Sequence, residues 1–523
     1  MQTREYRNYY EMGKLRNTMN TDKGTIIELT ITDMTDDGKG IGHVEGMTVF
    51  VDGTIPGDEV KARVIQDKKR YLVAECQEIL SASEDRIDTA CPYFGTCGGC
   101  SLQNMKYDAQ LRMKKEHVRN KLERIGGLEN PAVHDVIAQT DEYGQPELQY
   151  RNKATFAVYN GPDGPSVGFR QRGSHRVIDI CECLLQKDPV MAVANAIREL
   201  IRKGKIRIYK EPKKFYGRGA KNRTQQKPSN VAKLREFTVK ACEGTGEMMV
   251  VLTVSGKQLP NAEEIIYAID DAVNASSEMY ALESVILEVK KGDMHELAKD
   301  YIPLAGKRTI LDHVEIGGRE LDFEISGSAF YQVNTKQMVR LYETAQEYAN
   351  LQGEEVLFDL YCGIGTIGLS MVDKAAMVVG IEEVPGAVLD ANRNAVINGI
   401  VNARYYTGKA EEILPRLLDS EDKLYADYLR KEDMENRPRV VVLDPPRGGC
   451  APILLETVAS IEPERIVYIS CDAETLARDI KVLRSYGYEF QEATPVEMFG
   501  MSMHVESVAL LIKERSDAEK HSR

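Results

Sequence analysis

Hydrophobic and polar positions change their period several times along the chain, and each change marks a different kind of structure. Between residues 24 and 80 the runs are short and alternating: "GTIIELTI", "MTVFV", "DEVKARVI" and "RYLVAEC", broken by the turn-forming "DDGKGIG" and "DG". In "EVKARVI", Val60, Ala62 and Val64 face one way while Lys61, Arg63 and Ile65 mostly face the other. About five such strands predict a small closed or partly closed β-barrel of the oligonucleotide-binding (OB-like) type. The stretch "DAQLRMKKEHVRNKLERIGG" then reads as a helix closed by Gly126 and Gly127. From 150 to about 325 the pattern is mixed, with strands such as "EMMVVLTV" and "ESVILEV". From about 329 onward, nearly all-apolar runs alternate with helical stretches: "EEVLFDL", "AAMVVGI", "RVVVLD", "RIVYIS" and "VESVALLI". Strands of that kind belong to a parallel sheet covered on both faces, so the second half predicts a doubly wound α/β domain.

These changes set the expected boundaries: an N-terminal extension at 1–17, the barrel at 18–80, a mixed α+β central domain at 81–328, the α/β domain at 329–513 and a polar, disordered tail at 514–523. Composition agrees with several globular cores, at 42% hydrophobic and 28% charged residues. No apolar run approaches the roughly 18 to 20 residues that cross a membrane. The start, "MQTREYRNYYEMGKLRN", has no apolar core and is not a secretory signal, so a cytoplasmic protein is expected. Ten cysteines in a reducing compartment then read as thiols, metal ligands or catalytic groups rather than disulfides.

A net charge of −13 argues against a nucleic-acid partner until its distribution is read. Residues 201–240 hold fourteen Lys or Arg against Glu211 and Glu236, a local +12, centred on a basic insertion at about 203–235. In the barrel, Lys61, Arg63, Lys68, Lys69 and Arg70 stand beside Tyr71. Phosphates need cations and bases stack on rings, so two regions could grip RNA while the rest stays acidic.

Candidate chemistry gathers in the last domain. "VLFDLYCGIGTIGLS" runs from a buried strand into a glycine-rich turn and a helix, with Gly363, Gly365 and Gly368 matching G-x-G-x-x-G. That loop serves a dinucleotide or S-adenosylmethionine equally well, and Glu382, ending the next strand, can accept hydrogen bonds from the ribose of either. In "RVVVLDPPRGG" a strand runs straight into Asp444 and two rigid prolines, followed by Arg447. Cys471, in "YISCDAETLARD", ends a strand and precedes a helix. Taken alone it is most simply a small buried residue. Glu506, in "HVESVALLI", shares an alternating face with Val508, Leu510 and Ile512, where desolvation would raise its pKa and suit it to accept a proton. Cys91, Cys97 and Cys100 have C-x5-C-x2-C spacing, which with a fourth thiolate from elsewhere would suit zinc.

In order, "TVFVDGTIPGDEV", "CPYFGTCGGC", "YRNKATF", "FYQVN", "DLYCGIGTIGL", "DPPRGG", "SCDAETLARD" and "HVESV" resemble the bacterial iron–sulfur 23S ribosomal RNA (uracil-5-)-methyltransferases, part of the wider RNA 5-methyluridine methyltransferase group. The resemblance runs from about 23 to 513. It implies a TRAM barrel, a central domain holding a 4Fe-4S cluster, and a Rossmann-like domain that uses S-adenosylmethionine. It implies Cys471 as nucleophile, Glu506 as general base, and Gln332, Tyr361, Glu382 and Asp444 as cofactor contacts. The cluster ligands become Cys91, Cys97, Cys100 and Cys183, with Cys181 a bystander. The implied substrate is a uridine of 23S rRNA, free or in a precursor particle, methylated at C5 by a monomeric enzyme. A transfer RNA T-loop uridine is the alternative that keeps the chemistry. A dinucleotide-dependent iron–sulfur oxidoreductase would leave Cys471, Glu506 and "DPPRGG" without a task, and an inert RNA-binding scaffold would leave the whole set unused. Relatives usually show Asn-Pro after the nucleophile and Phe-Pro ahead of the base strand, where this chain has Asp472-Ala473 and Phe499-Gly500.

Overall fold

The computed structural model describes residues 22–161, 164–210, 230–290, 300–418 and 437–514. The N-terminal extension, residues 211–229 of the basic insertion and the tail from 515 lie outside them. The chain divides into two compact units, one of residues 1–114 with 499–504 and one of residues 115–498 with 505–523.

In the first unit, strands β1 (Ile26–Met34), β2 (Gly40–Val44), β3 (Met47–Asp52), β4 (Glu59–Asp67) and β5 (Tyr71–Ser81) close a barrel in the order β1-β2-β3-β5-β4. Closure follows from the alternation: Val60, Ala62 and Val64 are fully buried with Val49, Val51 and Leu72, and the intervening residues face outward. Asp58, just before β4, is buried and ties the barrel to the segment after it. Its carboxylate accepts from the amides of Ile55 (2.8 Å) and Ser83 (3.0 Å) and from both Nε and Nη2 of Arg86. The turn from β4 to β5 exposes Lys68, Lys69 and Arg70, and Tyr71 meets Phe50 edge-on with ring centres 5.1 Å apart.

The second unit contains two seven-stranded sheets. The first is built from β6 (Lys153–Gly161), β7 (Gly164–Arg170), β8 (Val177–Asp179), β9 (Leu234–Ala241), β10 (Glu247–Val254), β11 (Ala281–Val289) and β12 (Asp300–Gly306), in the order β12-β11-β10-β9-β6-β7-β8. Only the β10–β11 pair is parallel. A two-stranded hairpin follows, β13 (Thr309–Ile316) with β14 (Arg319–Ser326).

The second sheet uses β15 (Val356–Leu360), β16 (Met377–Glu382), β17 (Ala403–Thr407), β18 (Arg439–Leu443), β19 (Arg465–Ser470), β20 (Tyr488–Val496) and β21 (Glu506–Lys513), ordered β17-β16-β15-β18-β19-β21-β20. β15 to β19 are mutually parallel and β21 runs antiparallel to both neighbours. The central strands are buried end to end, as the apolar runs require. β17 and β20 were not visible as apolar runs, because outer strands carry polar residues such as Arg404 and Glu489. The outer side of β20 is covered by residues 132–137, which exchange backbone bonds with Ala493 and Pro495 at 2.9 Å.

Candidate active site

A parallel sheet collects the carboxyl ends of its strands along one edge, where loops can hold ligands. β15 leaves that edge through Tyr361, Cys362 and the glycine loop into the helix Thr366–Met371. Tyr361 (φ 67°), Gly363 (φ 54°) and Gly365 (φ 85°) are left-handed, so the chain turns sharply over the strand end. For tyrosine that backbone is strained, and it is pinned by its N–H donating to Ile381 O at 2.9 Å. Glu382, ending β16, accepts from the Gly363 amide at 3.2 Å and from the Val384 amide at 2.8 Å. No heavy atom lies within 4 Å of where a Gly363 Cβ would stand, so the loop leaves open space beside this fixed carboxylate. Such a cradle fits the nucleoside and amino-acid parts of S-adenosylmethionine.

Beneath the loop, Asp359 is fully buried. One oxygen accepts from the Gly368 amide at 2.9 Å, and the other has no hydrogen-bond partner among the described residues. Burial pushes its pKa up to about 7 against that bond, with Glu382 adding to the rise. Asp444 directly follows β18, and its amide donates to Leu360 O at 3.3 Å. Burial and then the charge of Asp359 push the Asp444 carboxyl up to about 7 as well.

Cys471 follows β19 and is half-buried. Asp472 caps the next helix, Ala473–Ser485: its Oδ1 accepts from the amides of Glu474 (3.0 Å) and Thr475 (2.9 Å). That capping role explains an acid beside the thiol. The positive helix end does not win at the sulfur. Burial pushes the thiol up to about 11, Glu506 adds, Arg447 opposes, and Asp444 and Asp472 add further.

Glu506 opens β21 and is 4% exposed. Burial, then Asp444, push it up to about 8 while Arg447 opposes. The direction agrees with the sequence expectation, but alternation is not its cause. Both faces of β21 are buried as far as Leu511, and Ile512, placed on the inward face by sequence, is 38% exposed.

Strand order turns these scattered positions into a row. Leu360 is in register with Ile381 on one side and Leu443 on the other, Leu443 with Tyr468, and Ser470 with Ser507. Because β21 is antiparallel, its first residue reaches the edge where β19 ends. Glu382, the glycine loop, Asp444 with Arg447, Cys471 and Glu506 therefore occupy successive strands about 4.8 Å apart. Tyr361 contributes its backbone to this row, whereas its ring packs into the core against Cys450. Gln332 is held differently. It is buried, and its carbonyl accepts from Asn152 Nδ2 at 2.8 Å, a nitrogen that also reaches Thr335 Oγ1 at 2.9 Å. The "YRNKATF" stretch thereby braces "FYQVN". Arg447 and Asp359 were not among the expected site residues. Their signal was their place within "DPPRGG" and "FDLYCG".

A model of the tRNA (uracil-5-)-methyltransferase family matches residues 205–514, and a TRAM domain model matches residues 21–76. The chain belongs to the tRNA (uracil-5-)-methyltransferase family. As a uracil-5-methyltransferase it takes its methyl group from S-adenosylmethionine and acts on RNA. Among its relatives is an uncharacterized RNA methyltransferase of Halalkalibacterium halodurans, 38% identical over 491 residues, or 94% of this chain and 97% of the relative. Another, from Caldanaerobacter subterraneus, is 36% identical over 489 residues, or 93% and 98% of the two chains. The fold is that of the Pyrococcus abyssi tRNA (uracil-54, C5)-methyltransferase in complex with S-adenosyl-L-homocysteine, at TM-score 0.64 and 24% identity over 93% of this chain and 100% of that one. Among the described residues, no helix is long and apolar enough to cross a membrane.

The cysteine-rich loop of this methyltransferase is less decisive. Cys91, Cys97 and Cys100 are half-buried thiols in the first unit, and Cys183 is one in the second. Two donors point at sulfur: the Gly99 amide to Cys97 Sγ at 3.4 Å and Gln103 Nε2 to Cys100 Sγ at 3.1 Å. Yet among the described residues no three Cys, His, Asp or Glu side chains are grouped as a metal requires.

Proposed function

We propose that this enzyme methylates C5 of uridine in 23S rRNA through a covalent adduct on Cys471, with Glu506 as the base. The observation carrying the chemistry is the adjacency of β19 and β21, which gives a thiol and a buried carboxylate one edge beside the cofactor loop. C5 of uracil is a weak nucleophile. Cys471 as thiolate adds to C6, and the C5–C6 π electrons move towards O4 as an enolate. S-adenosylmethionine, when bound, would supply an electrophilic methyl group, its S–CH3 bond breaking so that the electron pair stays on sulfur and S-adenosylhomocysteine leaves. The enolate pair at C5 forms the new C–C bond, Glu506 takes the C5 proton, and the electrons of that C–H bond restore C5–C6 as the thiolate leaves. The target must be unstacked from its RNA to enter. Glu382 and the Gly363 amide hold the cofactor's nucleoside end, with Gln332, the Tyr361 backbone and Asp444 completing the contacts. The exposed Lys68-Lys69-Arg70 turn of the TRAM barrel holds RNA phosphates.

Substrate choice has a second reading. The Pyrococcus abyssi protein whose fold is shared acts, by its description, on uracil-54 of tRNA. Methylation of 23S rRNA and of tRNA transcripts in parallel, with the product base mapped by mass spectrometry, decides between them. Methylation of tRNA alone overturns the ribosomal target. The mechanism is tested with RNA carrying 5-fluorouridine, whose C5 substituent cannot leave as a proton. We expect a trapped adduct on the Cys471 peptide, and no adduct with either RNA sinks the covalent route.

A 4Fe-4S cluster on Cys91, Cys97, Cys100 and Cys183 rests on the family resemblance, and no step above uses it. Anaerobic preparations are expected to hold iron and sulfide. Zinc without sulfide overturns the cluster.

A further inference from the structure

The "SCDAETLARD" stretch ends in Arg478 and Asp479, which the chemistry above does not use. Asp479 is an acid on the apolar stripe of the helix Ala473–Ser485, buried alongside Leu476, Ile480 and Leu483. Its Oδ2 accepts from the Cys450 amide at 2.8 Å and from the Tyr468 hydroxyl at 2.6 Å, and its Oδ1 from Arg478 Nε at 2.7 Å. Arg478 Nη2 in turn donates to Gly448 O at 3.0 Å and Cys450 O at 3.3 Å. Thr475 Oγ1 donates to Arg447 O at 3.3 Å. Residues 475, 478 and 479 share one helical face. Together they hold residues 447, 448 and 450 of the loop that follows Asp444. The loop is pressed tightly to that face. Gly449 has φ +70°, and a Cβ there would lie 2.5 Å from Arg478 Nη2 and 2.6 Å from Asp479 Oδ2.

We propose that Asp479 is a positioning residue: with Arg478 and Thr475 it clasps the 444–450 loop to the helix that begins beside Cys471, keeping Arg447 within charge range of both the thiol and Glu506. Two glycines in the loop would otherwise let it wander. The charged groups around Cys471 are Glu506 from β21, Arg447 and Asp444 from this loop, and Asp472 from its own helix. Arg447 is the cation that offsets the three acids, so its placement governs how readily the thiolate forms. The link to catalysis rests on the proposed role of Cys471, whereas the clasp itself does not.

The test follows iodoacetamide alkylation of Cys471 against pH, read on its own peptide by mass spectrometry, in the full chain without substrate. Asp479→Asn keeps the shape but turns an NH2 towards groups that are themselves donors. We expect alkylation at fixed pH to slow about three- to tenfold, equivalent to a thiol pKa higher by half to one unit. Tyr468→Phe, which removes one donor and leaves the Arg478 pair, is expected to shift the profile less in the same direction. A folded Asp479→Asn protein whose profile superimposes on wild type overturns the clasp. Should that variant not fold, Tyr468→Phe and Arg478→Lys decide by the same criterion. A shifted profile with no 5-fluorouridine adduct in wild type keeps the clasp and defeats the proposed chemistry. An adduct with an unmoved profile does the reverse.

Discussion

Asp58 and Glu506 are both buried carboxylates next to an arginine's charge, and they end on opposite sides of their ordinary pKa. Burial pushes Asp58 up, but the Arg86 hydrogen bond, the amides of Ile55 and Ser83, and the Arg86 charge outweigh it and hold the group below its usual range. Glu506 accepts no hydrogen bond among the described residues. Arg447 reaches it only through space, so burial and Asp444 win. Donor supply separates the two: a carboxylate given four N–H groups is kept charged and fastens the barrel, while one given none is left able to take a proton.

Replacing each acid tests that distinction, and the largest effect is expected at the sheet. Glu506→Gln should lower turnover by about 10²- to 10⁴-fold, the usual contribution of a general base. It should also accumulate a methylated Cys471 adduct, visible by intact-mass measurement. Rapid, complete turnover by this variant would show that another group removes the proton.

Asp58→Ala should show the reverse pattern. It strands the Arg86 charge and removes the anchor of two amides, at a cost of about 3 kcal/mol to the first unit, measured by denaturant unfolding. Cofactor affinity should not move. If Glu506→Gln destabilises the protein as much as Asp58→Ala does, the distinction between the two acids collapses.

A smaller effect is expected from pH. Glu506, raised to about 8, and Asp359 and Asp444, raised to about 7, bind more protons folded than unfolded between the ordinary carboxylate range and those values. Stability should therefore rise as pH falls from 9 towards 6, and Glu506→Gln should flatten that rise in thermal scans. Asp58 has the opposite sign. Its contribution is complete above its unfolded pKa and is lost only as pH drops through its lowered folded value.

The smallest change concerns the thiol's own neighbour. Asp472→Asn keeps the helix cap and removes a negative charge, so Cys471 alkylation at fixed pH should quicken by about two- to threefold with the melting temperature unchanged. An unchanged rate would show that the Asp472 charge is screened from the sulfur.

What sequence revealed follows from how local each cause is. The barrel and the inner strands of the α/β sheet were legible because alternation and unbroken apolar runs are written residue by residue. The cofactor loop was legible as glycines at fixed offsets. The outer strands β17 and β20 were not, since their half-exposed pattern resembles the loops around them. Nor could sequence separate the raised Glu506 from the lowered Asp58. Each depends on donors or acids that come from other segments. Asp479 left a fainter trace, an acid at a helix position where the spacing of Leu476, Ile480 and Leu483 calls for an apolar residue.

The place of β21 also makes a part-folded chain vulnerable. The strand that carries Glu506 comes last in the sheet's sequence, yet it lies inside, between β19 and β20. Until the β20–β21 hairpin docks, β19 presents "RIVYIS" as a bare apolar edge, the kind that recruits other chains. Cys471, just after that strand, would then stand without Glu506 beside it. A chain caught before that docking would lack Glu506 at the sheet edge and would expose a strand prone to aggregation.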